Sequence, residues 1–197
     1  EIKKDKIHIY KTVDIIPKGD SEHDISKTIS KAITKFSKIF KNINVDTLIL
    51  LGDRYEIFTA CVAATLCRVP VGHIHGGEIT KSSVDDVFRH SITKMAHLHF
   101  TANSDYKKRV IQMGENPKNV YVVGGLGVDN IKGTEIYSKV NLEKKLNLKF
   151  SRRIVLATYH PETLKKDNSF KYLKNLLGAL KKMRDTSVIF TMPNSDI

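Results

Sequence analysis

Strand and helix signals alternate four times between Val45 and Val123, with connections that specify parallel strands joined by right-handed crossovers. The first strand signal, Val45-Asp46-Thr47-Leu48-Ile49-Leu50-Leu51, is almost wholly apolar, as a strand covered on both faces must be, and Gly52 closes it. An Ala- and Leu-rich helical stretch follows from Tyr55 to Arg68 and is stopped by Pro70. Val71-Gly72-His73-Ile74 reads as the second strand and leads into a Gly-Gly loop. Ser82 or Ser83, with Asp85 or Asp86 three residues on, marks the start of a helix that ends near Ala96. His97 to Thr101 is the third strand, Ser104 to Met113 a helix, and Val120 to Val123 the fourth strand before Gly124-Gly125. The class is α/β, with doubly wound parallel sheets.

The segment 126–150 has helical stretches broken by Gly133 and mixed charge, which suits a connector. The alternation then restarts, with a strand at Arg153 to Ala157, an amphipathic helix from Asn168 to Met183 and a strand at Ser187 to Met192. One such unit cannot bury both faces of its sheet. At the other end, the amphipathic helix Ile25 to Phe40 has no strand signal before it. The expectation is two lobes, both incomplete: residues 1–148, a lobe with its connector and without its first strand, and residues 149–197, the start of a second.

No apolar run approaches the roughly 18–20 residues a membrane span needs, and the first residues lack the apolar segment of a signal peptide, so a soluble, cytoplasmic protein with no membrane partner is expected. The net charge of +12 raises the question of nucleic acid. Its distribution argues against it: residues 1–44 carry +4, 45–100 carry −1, 101–140 carry +2 and 141–197 carry +7, so the stretch densest in unusual residues has no positive surplus. A small polyanionic ligand such as a nucleotide is compatible with the excess. Cys61 and Cys67 have neither disulfide-framework nor zinc-ligand spacing and read as buried thiols.

Ligands of open parallel sheets bind beyond the carboxyl ends of the strands. The residues there are Asp53-Arg54, His75-Gly76-Gly77-Glu78, Thr101-Ala102-Asn103, Gly124-Gly125 and Tyr159-His160-Pro161-Glu162. Asp53 stands at the edge of an apolar strand, either as an acid/base group or as a cap for the helix from Tyr55. His73 and His75 fall on the same side of an extended segment, and the glycines after them admit a ligand to the backbone. Together with His97 and His99 they invite a metal reading, but the two pairs lie at opposite strand ends, so no metal is assigned and His97 and His99 read as core or interface histidines. On the next helix, Asp85 with Arg89 and Asp86 with His90 are spaced as ionic pairs, and the first-turn position favours an ionised carboxylate there. His160, just before Pro161, is placed to meet a phosphate or to cap its strand.

Gly52-Asp53-Arg54-Tyr55-Glu56, His73-Ile74-His75-Gly76-Gly77-Glu78, Asp85-Asp86 with Arg89-His90-Ser91-Ile92-Thr93-Lys94, and Tyr159-His160-Pro161-Glu162-Thr163, in this order and spacing, resemble the hydrolysing UDP-N-acetylglucosamine 2-epimerases of sialic-acid-type sugar synthesis. The resemblance implies the GT-B architecture of two Rossmann-like lobes facing a cleft, with residues 149–197 opening the nucleotide-binding lobe. It implies conversion of UDP-N-acetylglucosamine to N-acetylmannosamine and UDP, by elimination of UDP to a 2-acetamidoglucal and addition of water, with no cofactor and no metal. Asp53 and Asp85 match catalytic acids of the family. Arg54, Asp86, Arg89 and His90 match its substrate-binding segments, and His160 and Asn194 match positions near the nucleotide. A homodimer is implied as well.

Two departures stand out. Members of the family often carry a catalytic Glu where this chain has His75, so either His75 or Glu78 takes the acid/base role; some bacterial relatives share His-Ile-His-Gly-Gly-Glu. The change also admits a different substrate, the UDP-2,4-diacetamido-2,4,6-trideoxy sugar of the legionaminic acid route. The chain is in addition about half as long as members of the family, so the 197 residues are expected to be inactive alone. The alternatives are a GT-B glycosyltransferase, which passes the sugar to an acceptor, and an inactive UDP-sugar-binding protein.

Overall fold

The computed structural model describes residues 2, 5–17, 19, 21–81, 83–160 and 168–192. Helix α1 (Glu22–Asn42) is started by Ser21, whose hydroxyl accepts from the Asp24 amide at 3.1 Å. The elements that follow are β1 (Leu48–Leu51), α2 (Tyr55–Leu66), β2 (Val71–Ile74), α3 (Val84–Met95), β3 (Leu98–Thr101), α4 (Ser104–Gln112) and β4 (Val120–Val122). After them come α5 (Leu126–Gly133), α6 (Lys139–Leu146), β5 (Arg153–Ala157), α7 (Ser169–Leu180) and β6 (Thr186–Phe190). The order of elements is the one read from the sequence, with most boundaries drawn in by one to three residues.

β1 to β4 form one parallel sheet in the order β1-β2-β3-β4, and β5 pairs with β6 in a second parallel sheet. The α/β class is therefore as expected. The strands of the larger sheet step in a single direction, and its buried side chains share one face. Register places Leu50, His73, His99 and Val120 in one row across the four strands, and all four are buried. α2, α3 and α4 cover that face, with Ala60, Cys61, Ala64, Ile92 and Val110 buried beneath them, and α1 packs on α2 with Phe36 and Phe40 alongside the core. On the opposite face, Ile49 and Leu51 are about half exposed. Cys61 is buried and burial pushes its thiol up to about 11, whereas Cys67 is only partly covered.

The chain divides into two units, Glu1–Lys81 with Asp85–Gly125, and Leu126–Ile197 with the short Ser82–Val84 stretch. The connector helices α5 and α6, which the sequence groups with the first lobe, fall in the second unit. Among the described residues, no helix is long and apolar enough to cross a membrane.

Candidate active site

β1 ends in Gly52, which takes φ +90°, a backbone conformation that glycine adopts without strain and that turns the chain out of the sheet. Asp53 follows directly. It does not cap α2, whose N-cap residue is Arg54 and has no side-chain capping bond. Instead the Asp53 carboxylate accepts from the guanidinium of Arg89, 36 residues further along on α3. Arg89 is only 5% exposed and also donates to Oδ1 of Asp86 at 3.1 Å and to the Thr80 hydroxyl at 3.0 Å. Asp86 Oδ1 accepts in turn from the Thr80 amide at 2.7 Å, and its Oδ2 lies 3.6 Å from Nε2 of His90. A buried guanidinium of this kind persists only with its donors satisfied by carboxylates and hydroxyls, which is what Asp53, Asp86 and Thr80 supply.

The Asp86–His90 pair thus forms as its spacing predicts. The partner that spacing assigns to Arg89, Asp85, gives way to Asp53 and Asp86, because the arginine turns inward to the end of β1. Asp85 is half-buried in the first turn of α3. Arg54 pairs with Glu56 at 3.3 Å. Ser82, one of two candidates for the helix start, lies outside the described residues.

The histidine pair of β2 separates. His73 is fully buried, while His75 lies past the strand end with φ +67°, and that left-handed residue breaks the extended alternation on which a shared side depends. Nδ1 of His75 donates to Oε1 of Glu78 at 2.8 Å across the loop, tying the two alternatives for the acid/base role into one hydrogen-bonded pair. α4 fixes that loop: Arg109 donates to the Gly77 carbonyl, and a Cβ at Gly77 would lie 2.5 Å from the Tyr106 carbonyl oxygen, so only glycine fits. Asn103 holds the start of α4, accepting from the amides of Asp105 and Tyr106 at 3.0 Å.

Burial pushes the His73 imidazole down to about 4, with His99 and Arg89 adding to the effect and the Gly52 carbonyl and Asp53 opposing it, so the ring is neutral near pH 7. His99 is core, as expected, and burial lowers it too, against the Glu115 carboxylate 3.2 Å from its Nε2. His97 is not a core residue: it is exposed, and its Nδ1 accepts from the Val71 amide at 3.2 Å. Among the described residues, no group of three or more His, Cys, Asp or Glu is placed to hold a metal ion.

Sequence reasoning singled out Asp53, Asp86, Arg89 and His90, which the fold brings together, and His75 with Glu78, which pair. It passed over Thr80 and Arg109. Neither sits in a distinctive motif, and their partners are 6 to 32 residues away. In the second unit, His160 is exposed beyond the end of β5, and Asn194 lies outside the described residues.

Solved structures similar to this chain include UDP-N-acetylglucosamine 2-epimerases. S. aureus MnaA in a co-structure with UDP matches with a TM-score of 0.79 at 20% identity, over 98% of this chain and 51% of that one. The Neisseria meningitidis UDP-GlcNAc 2-epimerase bound to UDP-GlcNAc matches at 0.77 and 20% identity, over 98% and 54%. The fold is thus that of about half a GT-B-like epimerase structure. The UDP-N-acetylglucosamine 2-epimerase family model matches residues 1–197, and the chain belongs to that family. It is 39% identical over 196 residues to the Campylobacter jejuni GDP/UDP-N,N'-diacetylbacillosamine 2-epimerase (hydrolyzing), covering 51% of that protein. It is also 39% identical to the Escherichia coli polysialic acid biosynthesis protein P7, covering 50%, and 30% identical to a Legionella pneumophila UDP-N,N'-diacetylbacillosamine 2-epimerase (hydrolyzing), covering 52%. The chain spans about half the length of the curated relatives it matches.

Proposed function

We propose that the whole protein is a hydrolysing UDP-sugar 2-epimerase. The observation that carries this reading is the convergence of Asp53, Arg89 and Asp86 at the carboxyl edge of the sheet, with the His75–Glu78 pair on the loop that leaves the next strand of that edge. Such an edge is where open parallel sheets bind ligands, and an elimination needs acid/base groups fixed at the reacting carbons.

In the first step a base takes the proton from C2, the C1–O bond breaks, and its electron pair leaves with UDP, giving a 2-acetamidoglucal. In the second, water adds its oxygen to C1 while a proton returns to C2 on the opposite face, giving the 2-epimeric free sugar. The sum consumes one water per UDP released. Asp53 and Asp85 are the carboxylates assigned to these proton transfers. His75 is the group that faces substrate beside them, with Glu78 holding its Nδ1 hydrogen. Arg89 fixes Asp53, while Arg54, Asp86 and His90 contact the sugar. His160 and Asn194 belong to the diphosphate and nucleotide side, where cationic donors stabilise the leaving group. The protein works as a homodimer in the cytoplasm in this reading, with UDP-sugar as its partner and without a cofactor.

UDP-N-acetylglucosamine is the first substrate of the reading. A second, the UDP-2,4-diacetamido-2,4,6-trideoxy sugar, is favoured by the names of two relatives, at 39% and 30% identity. Incubating the whole protein with each nucleotide sugar in turn and following UDP and free sugar by proton NMR tests the proposal. Free 2-epimeric sugar in step with UDP, with no acceptor added, supports it and picks the substrate. UDP release only with an acceptor sugar points to a glycosyltransferase, and binding of UDP without turnover of either sugar points to an inactive binding protein.

A further inference from the structure

His73 is a buried titratable group at the floor of the site, apart from the proton transfers proposed for Asp53 and Asp85. It is fully buried, and its Nε2 lies 2.9 Å from the Gly52 carbonyl oxygen, the last peptide before Asp53. A carbonyl only accepts, so Nε2 carries the hydrogen. The neutral ring then has Nδ1 as an acceptor, and the Thr93 hydroxyl is 3.2 Å from it. Thr93 sits one helical turn after Arg89 on α3, and its single hydroxyl hydrogen is shared between Nδ1 of His73 and the Arg89 carbonyl oxygen, 3.0 Å away. One imidazole therefore bridges the strand end that carries Asp53 and the helix that carries Arg89 and Asp86.

The same ring supports the third part of the site. A Cβ at Gly76 would lie 3.0 Å from Nδ1 of His73 and 3.0 Å from Oγ1 of Thr93, so the His73–Thr93 bond lies directly beneath the loop that presents His75 and Glu78. We propose that His73 is a positioning residue of the reaction: its Nε2–H holds the Gly52 carbonyl and so fixes Asp53 against Arg89 under the His75–Glu78 loop, with Thr93 setting the tautomer of the ring. The inference rests on the epimerase reading of that site. The bridge calls for a neutral ring with one donor and one acceptor, which the burial of His73 enforces near pH 7.

The two bonds can be separated. His73→Gln keeps a donor where Nε2 lies, His73→Asn keeps an acceptor near Nδ1, and His73→Phe removes both from a ring of similar shape. The whole protein and the three variants are compared for kcat and KM on whichever of the two nucleotide sugars the wild type turns over, and for melting temperature. The expected result is that His73→Phe lowers kcat about 30-fold or more with KM changed about threefold or less, as a buried acceptor left unmade beside a catalytic group requires. His73→Gln recovers kcat to within about fivefold of wild type, and His73→Asn does not. Should His73→Phe fail to fold, the ordering of Gln above Asn still decides the matter. Equal kcat for Gln and Asn, or losses that follow melting temperature alone, would overturn the proposal.

Arg89 guanidinium resonances by NMR give a readout that needs no turnover. They are expected to shift in His73→Asn and stay near their wild-type positions in His73→Gln; unchanged resonances in both contradict the positioning role. Wild-type protein inert toward both sugars would refute the epimerase reading, and the NMR comparison would still decide whether His73 holds the Asp53–Arg89 pair.

Discussion

In the first unit Cys61, Ala63, Ala64, Val71, Ile92 and Val110 are wholly buried, whereas in the second unit no described residue is, and Leu156 and Phe170 are 69% and 79% exposed. Strand pairing is alike in the two units: β5 and β6 are paired over five residues, β1 and β2 over four. The difference is in apolar burial. A two-stranded sheet with one helix has two open edges and little core, while four strands under three helices exclude water from a whole face. Only the second arrangement can hold an arginine at 5% exposure between two carboxylates, because only there is the frame stiff enough to fix all three.

The largest effect that would break this contrast is at Arg89. Arg89→Met leaves Asp53 and Asp86 without their shared cation and is expected to destabilise the first unit by about 3–5 kcal/mol in urea unfolding. A change under about 1 kcal/mol would mean that the cluster is solvated and not part of the frame.

Acidity comes next. His73 accepts a proton near pH 6.5 when unfolded and only near 4 when folded, so between those values the unfolded state holds more protons. Stability of the first unit is therefore full above pH 6.5 and falls as pH is lowered through 6.5 toward 4, by about 3 kcal/mol at the end of that window. The buried His99 works in the same direction. Urea titrations at pH 7 and pH 5 measure it, and equal midpoints would contradict the buried neutral histidine.

Amide hydrogen exchange compares the units directly. The β2 and β3 amides are expected to exchange at least about 100-fold more slowly than those of β5 and β6, since opening free energy follows buried apolar contact. Equal protection would erase the contrast. The smallest effect is the control: Lys108 and Asp105 pair at 3.1 Å with both side chains over 70% exposed, so Lys108→Ala should change stability by less than about 0.5 kcal/mol.

Local signals in the chain carried most of the fold. The apolar run ending at Leu51, the Pro70 stop and the Gly-Gly loops marked each strand and helix in order, because parallel α/β units are punctuated locally. Pairing of Asp53 with Arg89 was not legible, since 36 residues separate them and only the crossover through β2 and α3 brings them together. Period-two alternation does place His73 with Val71 on the buried face, and that signal was available for His73. The turn at His75 was not, because its positive φ is imposed by the loop that Arg109 and Gly77 anchor.

Solvent deuterium reports on the proton transfer at C2 itself. The whole protein and its Asp53→Asn variant are incubated in deuterated water with UDP-N-acetylglucosamine and with the UDP-2,4-diacetamido-2,4,6-trideoxy sugar, and the C2 position of the released sugar is followed by proton NMR. A free 2-epimeric sugar carrying deuterium at C2 is expected from the wild type, with a loss of turnover of at least about 1,000-fold in the folded variant. Product that keeps its C2 proton, or an Asp53→Asn variant as active as wild type, would contradict it.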